Sequence, residues 1–286
     1  MLLYSVIIYK GEIFLADNRP IGVFDSGLGG LTVVKEILNV LPNEDIIYFG
    51  DTDRVPYGTK SRDTIRRYAR QDEAFLLSQN VKLIVAACGT VSSVASDIGE
   101  QLPVPYVEVV SHAAKAAVKA TKNGKIGVIG TSATIMSGEH KRVIENLLPS
   151  AEVYVQSCTL FVPLVESGFI DENDVIVFET VKRYLEPLKE AGVDTIILGC
   201  THYPVLSNAI RRYMGESVTL INAGISTAYA VKEILSEKSL LNDSQNPSVQ
   251  RYFVSDVTPS FKTTAHLLLG AEPTEEQLSQ VDIEKL

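Results

Sequence analysis

Thr195-Ile196-Ile197-Leu198-Gly199-Cys200-Thr201-His202 is a short apolar run that stops at a glycine and then delivers a thiol, a hydroxyl and an imidazole in succession. Leu83-Ile84-Val85-Ala86-Ala87-Cys88-Gly89-Thr90 has the same plan. A β-branched run without polar alternation reads as a strand buried on both faces, which calls for parallel neighbours and covering helices. Outward from these two, similar runs occupy Ile21 to Phe24, Ile46 to Phe49, Ile126 to Ile129 and Val153 to Val155. Each ends in small or turn-forming residues and is followed by a stretch of helical spacing. The expected class is α/β, with parallel-rich, doubly wound sheets.

The order of the runs repeats. Ile-Gly-Val at 21–23 returns at 126–128, Tyr48 returns as Tyr154, Val55-Pro56 as Val162-Pro163, and the run ending at Cys88 as the run ending at Cys200. Four matches in one order, at a slowly growing offset, predict two similar α/β halves. The expected units are 1–112 with 223–286, and 113–222. The chain crosses over near Val104 to Val110 and back near Asn222-Ala223-Gly224. Residues 239–248 read as a loop, Arg251 to Ser255 as a late strand, and the acidic stretch Ala271 to Leu286 as a solvated surface element. Each half brings one cysteine to the C-terminal edge of a strand, the edge where open α/β sheets bind ligands.

Composition narrows the function. The 286 residues, 45% hydrophobic and 21% charged, suffice for two cores. A net charge of −9 repels phosphate backbones and anionic lipid, so nucleic acid is not expected as a main partner. Three cysteines exclude a disulfide framework and suit a reducing, cytoplasmic setting. Lys10 and Glu12 interrupt the apolar start of the chain, which reads poorly as a secretory leader, and no apolar run reaches membrane-spanning length.

Asp25-Ser26-Gly27-Leu28-Gly29-Gly30 follows a strand and precedes a helix, as a tight turn or as a loop that admits a ligand to free N–H groups. It matches neither the dinucleotide fingerprint nor a P-loop. Asp51 and Asp53, in Gly50 to Gly58, lack further residues at metal-ligand spacing. A thiol at a strand end facing a helix N-terminus has its pKa lowered from ~8.5. Either cysteine alone reads more readily as a buried structural thiol. Cys-x-Thr at corresponding positions of two halves, with His202 beside the second, points instead to paired thiols across a cleft. Such a pair takes a proton from one face of a carbon and returns one to the other, the chemistry of a racemase. Cys158 lacks such company and reads as packing, while Glu166 reads as a helix-surface carboxylate or as an acid-base helper.

These residues resemble the cofactor-independent glutamate racemases of the aspartate/glutamate racemase superfamily. The matching pieces are Gly22 to Gly30, Gly50-Asp51-Thr52 with Pro56-Tyr57-Gly58, Cys88-x-Thr90, Lys125 to Thr131 leading to Thr134 and Ser137-Gly138, Pro163 to Glu166, and Gly199-Cys200-Thr201-His202-Tyr203-Pro204. They run in family order from about 19 to about 270. The resemblance implies an active site between two α/β domains, in which Cys88 takes the α-proton of D-glutamate and Cys200 that of L-glutamate. It implies that Asp25 and His202 assist the two thiols, with Glu166 helping the second. Ser26, Tyr57, Gly58, Gly89, Thr90, Thr134 and Thr201, with Asp25 and His202, would line the substrate site. No pyridoxal phosphate or metal is implied, and a homodimer supplying D-glutamate for peptidoglycan is expected.

Two features depart from the family pattern. Cys88-Gly89-Thr90 stands where the family usually has Cys-Asn-Thr. Loss of the amide removes a donor and an acceptor worth ~1–3 kcal/mol if unreplaced, so altered substrate range, toward aspartate or another amino-acid derivative, is the alternative reading. A non-catalytic binding protein is the alternative from another class, and the lack of a G-x-S-x-G elbow disfavours a serine hydrolase. The second departure is an extension, Met1 to about Asn18, read as an added strand or hairpin or as a start-site artefact.

Overall fold

The computed structural model describes residues 6–9, 12–15, 17–244, 246–259 and 261–285. Twelve strands are placed among them: β1 (Val6–Tyr9), β2 (Glu12–Leu15), β3 (Ile21–Asp25), β4 (Ile46–Gly50), β5 (Leu83–Ala86), β6 (Tyr106–Glu108), β7 (Lys125–Gly130), β8 (Glu152–Ser157), β9 (Thr195–Leu198), β10 (Thr219–Asn222), β11 (Gln250–Val254) and β12 (Leu278–Gln280). Within the N-terminal extension β1 and β2 pair antiparallel; its remaining positions up to Ala16 lie outside the described residues.

The other strands form two wholly parallel sheets, one ordered β12-β11-β4-β3-β5-β6 and one β10-β9-β7-β8. Read from its other edge, the second sheet runs β8-β7-β9-β10, the same order as β4-β3-β5-β6 in the first. The sequence repeat is therefore a repeat of topology. In each half the first strand is flanked by the second and the third, so the order in which strands are added reverses beside it and a crevice opens at its C-terminal end.

The unbroken apolar runs follow from two-sided burial. Along β3 and β5, Ile21, Val23, Leu83 and Val85 face one core and Phe24, Ile84 and Ala86 the other. Glu108 ends β6 and caps the Val109–Ala120 helix, its carboxylate accepting from Val110 N at 2.6 Å and Ser111 N at 2.9 Å. A cap of this kind contributes about 1 kcal/mol and starts the helix leading to β7. On the return, Asn222 accepts from Gly224 N at 2.9 Å and starts the Ala223–Glu237 helix, which packs on the Leu31–Val40 helix of the first half.

The acidic C-terminal stretch is not merely solvated. Leu278–Gln280 adds the edge strand β12, Ile283 enters the core at 3% exposure, and Glu284 pairs with Arg54 at 3.0 Å. One buried isoleucine among charged residues gives no periodicity from which a strand could be read.

Candidate active site

Both cysteine-bearing strand ends open into one cavity of about 300 Å³, at the small end of the ~300–1,000 Å³ usual for small-molecule sites. The first half contributes Asp25, Ser26, Tyr57, Gly58, Cys88, Gly89 and Thr90 to its wall, and the second contributes Glu166, Cys200, Thr201 and His202. Asp25 is the last residue of β3, Cys88 caps the Gly89–Val94 helix after β5, and Cys200 follows β9 by two residues. The repeated topology thus carries two thiols to one space.

The thiols have different surroundings. Cys88 is 4% exposed and donates to Ser26 Oγ at 3.4 Å. Burial, with the Asp25 charge adding to it, pushes its pKa up to about 12. This reverses the expectation of a lowered value, because desolvation outweighs what the strand-end position offers. Asp25 is itself raised by burial, against the pull of His202 and the N–H groups of Gly30, Gly27 and Ser26. Its Oδ2 accepts from Gly27 N at 3.2 Å, while its buried Oδ1 has no partner among the described residues.

Cys200 Sγ lies 3.9 Å from His202 Nδ1, and His202 Nε2 lies 3.0 Å from Glu166 Oε1. Burial of the imidazole favours the neutral form, but the bonds to Cys200 and Glu166 overcome it and raise the pKa to about 10. At neutral pH His202 is an imidazolium donating one N–H to each neighbour. Glu166, at the end of the Phe161–Glu166 helix and half-exposed, thereby joins the site.

The halves meet closely around the cavity. A Cβ on Gly29 would fall 2.1 Å from Thr201 Oγ1 and 2.6 Å from the His202 ring, so a side chain there would displace the Thr201 and His202 side chains from their present positions. Thr32 Oγ1 donates to the Thr201 carbonyl at 2.9 Å, and the Thr90 and Thr131 hydroxyls stand 3.1 Å apart.

Two expected contacts differ. Thr134 does not line the cavity; its hydroxyl lies 3.0 Å behind that of Thr131, which does. Tyr57 lines the wall, but its hydroxyl is engaged by Asp51 and Asp72, the latter at 3.1 Å. Arg54 pairs with the same carboxylates at 2.6 and 3.3 Å, so Asp51 belongs to a buried ion cluster. Tyr57→Phe removes a donor from two buried carboxylates, leaving Asp72 Oδ2 without it, and should cost about 1–3 kcal/mol, read as a lower urea midpoint with unchanged slope. Among the described residues no cluster of His, Cys, Asp or Glu is arranged to hold a metal ion.

Thr131, Ser132 and Thr159 also line the cavity. The repeat that matches Ile21 to Ile126 sets Thr131 opposite Ser26, a signal sufficient to find it. Cys158, read as packing, is fully buried and also belongs to the wall; burial and the Cys200 charge raise its pKa. Among the described residues no lysine or arginine lines the cavity, so an anionic ligand meets hydroxyls, backbone N–H groups and the His202 cation.

The model of the Asp/Glu/Hydantoin racemase family matches residues 21–231. A glutamate racemase of Geobacter metallireducens is 45% identical over 255 residues, 89% of this chain and 94% of its own length. The crystal structure of glutamate racemase from Francisella tularensis in complex with D-glutamate superposes with a TM-score of 0.88 at 39% identity, covering 94% of this chain and all of that one. The Bacillus anthracis glutamate racemase isoform RacE1 gives 0.87 at 37% identity, covering 93% and 98%.

Proposed function

Since the chain belongs to the Asp/Glu/Hydantoin racemase family, we infer that it interconverts L- and D-glutamate by proton transfer between two thiols. The observation that carries this reading is the convergence of Cys88 and Cys200, from equivalent strand ends of two sheets, on one cavity. The Geobacter metallireducens glutamate racemase, 45% identical over 94% of its own length, supports the substrate.

In the direction from L-glutamate, the Cys200 thiolate takes the α-proton and the electron pair of the broken C–H bond stays on Cα, delocalised into the α-carboxylate. The Cys88 thiol then gives its proton to the opposite face, leaving D-glutamate with the protonation of the thiols exchanged. The carbanion has no cofactor in this scheme, so its charge is met by fixed donors, with Ser26, Thr90, Thr131, Ser132, Thr159 and Thr201 placed to serve. A water-poor cavity strengthens each such contact. The proposed units, 1–112 with 223–286 and 113–222, would part to admit substrate and close to react.

The same reading makes the protein a cytoplasmic homodimer that supplies D-glutamate to cell-wall precursor synthesis; among the described residues no helix is long and apolar enough to cross a membrane. Circular dichroism with either glutamate enantiomer should decay to zero rotation, with one α-deuterium taken up from heavy water per inversion. Aspartate in the same assay tests the alternative substrate. No exchange with either glutamate enantiomer would refute the assignment.

A further inference from the structure

Beside the two thiols the halves approach each other backbone to backbone. A Cβ on Gly89 would fall 2.3 Å from the Gly199 carbonyl oxygen and 3.3 Å from its carbon. Gly199 cannot retreat cheaply: its N–H donates to Ile129 O at 2.8 Å, and its own Cα lies so near that oxygen that a Cβ there would stand at 2.7 Å. Gly89 is held in turn, its carbonyl accepting from Ser93 Oγ at 2.7 Å. Its φ lies outside the left-handed region, so space excludes a side chain here and conformation does not. The other close glycine approaches across the cavity, Gly29 on Thr201 and Gly58 on Thr131, meet side chains, which can rotate. Gly89 and Gly199 directly adjoin Cys88 and Cys200 in the chain.

We propose that Gly89 is a positioning residue: its lack of a side chain lets the two thiol-bearing loops meet at Gly199, and this contact sets the separation of Cys88 and Cys200 across the substrate carbon. The proposal rests on the racemase reading. A side chain at 89 pushes one thiol outward while leaving each thiol intact. Inversion needs both within transfer distance of one carbon, whereas exchange with retention needs only one. A misplacement of about 1 Å costs an inversion step on the order of 10²-fold.

The test is Gly89→Ala in heavy water with L-glutamate, following α-deuterium by NMR and configuration by chiral chromatography. The native chain couples deuterium uptake to inversion. In Gly89→Ala inversion should fall about 10²-fold while deuterium continues to enter L-glutamate with retention, so the ratio of the two rates shifts. A loss of stability alone would lower both rates together. Parallel decline, or no change, overturns the proposal, as does a Gly89→Asn variant that inverts at the native rate. A native chain that moves neither label nor configuration overturns the racemase reading itself, and the proposal with it. Independently of any variant, a crystal structure of the native chain with glutamate bound should keep Gly89 against the Gly199 carbonyl; parted loops would refute the contact.

Discussion

Cys88→Ala and Cys200→Ala should each lower racemisation in both directions by about 10²- to 10⁴-fold, because each thiol is the base for one enantiomer and the acid for the other. The two variants should nevertheless differ in the half-reaction they keep. Cys88→Ala retains Cys200 beside the His202 imidazolium and should still exchange the α-proton of L-glutamate with retention. Cys200→Ala retains Cys88, whose pKa burial and Asp25 hold near about 12, so at neutral pH its thiolate fraction is on the order of 10⁻⁵. Its exchange with D-glutamate should be the slower of the two. Deuterium incorporation by NMR, with configuration scored separately, checks this. Either single variant racemising at the native rate refutes the two-thiol scheme, and equal residual exchange refutes the asymmetry.

The strands carrying the thiols were legible because burial on both faces removes polar alternation, and their equivalence because the same apolar runs recur in the same order. β12 was not legible: its placement depends on pairing with β11 and on one buried residue, Ile283. The direction of the Tyr57 hydroxyl was hidden for a related reason. One of its partners, Asp72, lies on the Arg62–Ser78 helix and reads locally as surface charge, although it is fully buried. Gly89 was readable as a lost amide but not as a contact. The space an asparagine would enter is filled by the backbone of Gly199, which is distant in sequence and brought there only by the meeting of the two sheets. The His202–Glu166 bond was equally unreadable from spacing, since Glu166 is half-exposed and ends a helix 36 residues before His202 in the chain.

His202→Asn should remove the cation beside Cys200 and lower kcat/KM on the order of 10²-fold. The loss must be equal in the two directions, because enantiomers have equal free energy and fix the ratio of the two values. The side of the site that is damaged therefore shows in isotope exchange, with deuterium entry into L-glutamate falling most. The same variant carries a stability signature of definite sign. The folded-state pKa of His202 is raised to about 10, above its unfolded value of ~6.5. The extra stability is thus fully present below about pH 6.5 and is lost as pH rises toward 10. Native and variant urea midpoints should lie furthest apart in mild acid and converge in alkali. Glu166→Gln should show a smaller effect of the same sign, since its carboxylate is half-exposed and solvent screens it. A midpoint gap that is flat with pH, or that widens toward alkali, would show that His202 is held neutral and cannot serve as the cation beside Cys200.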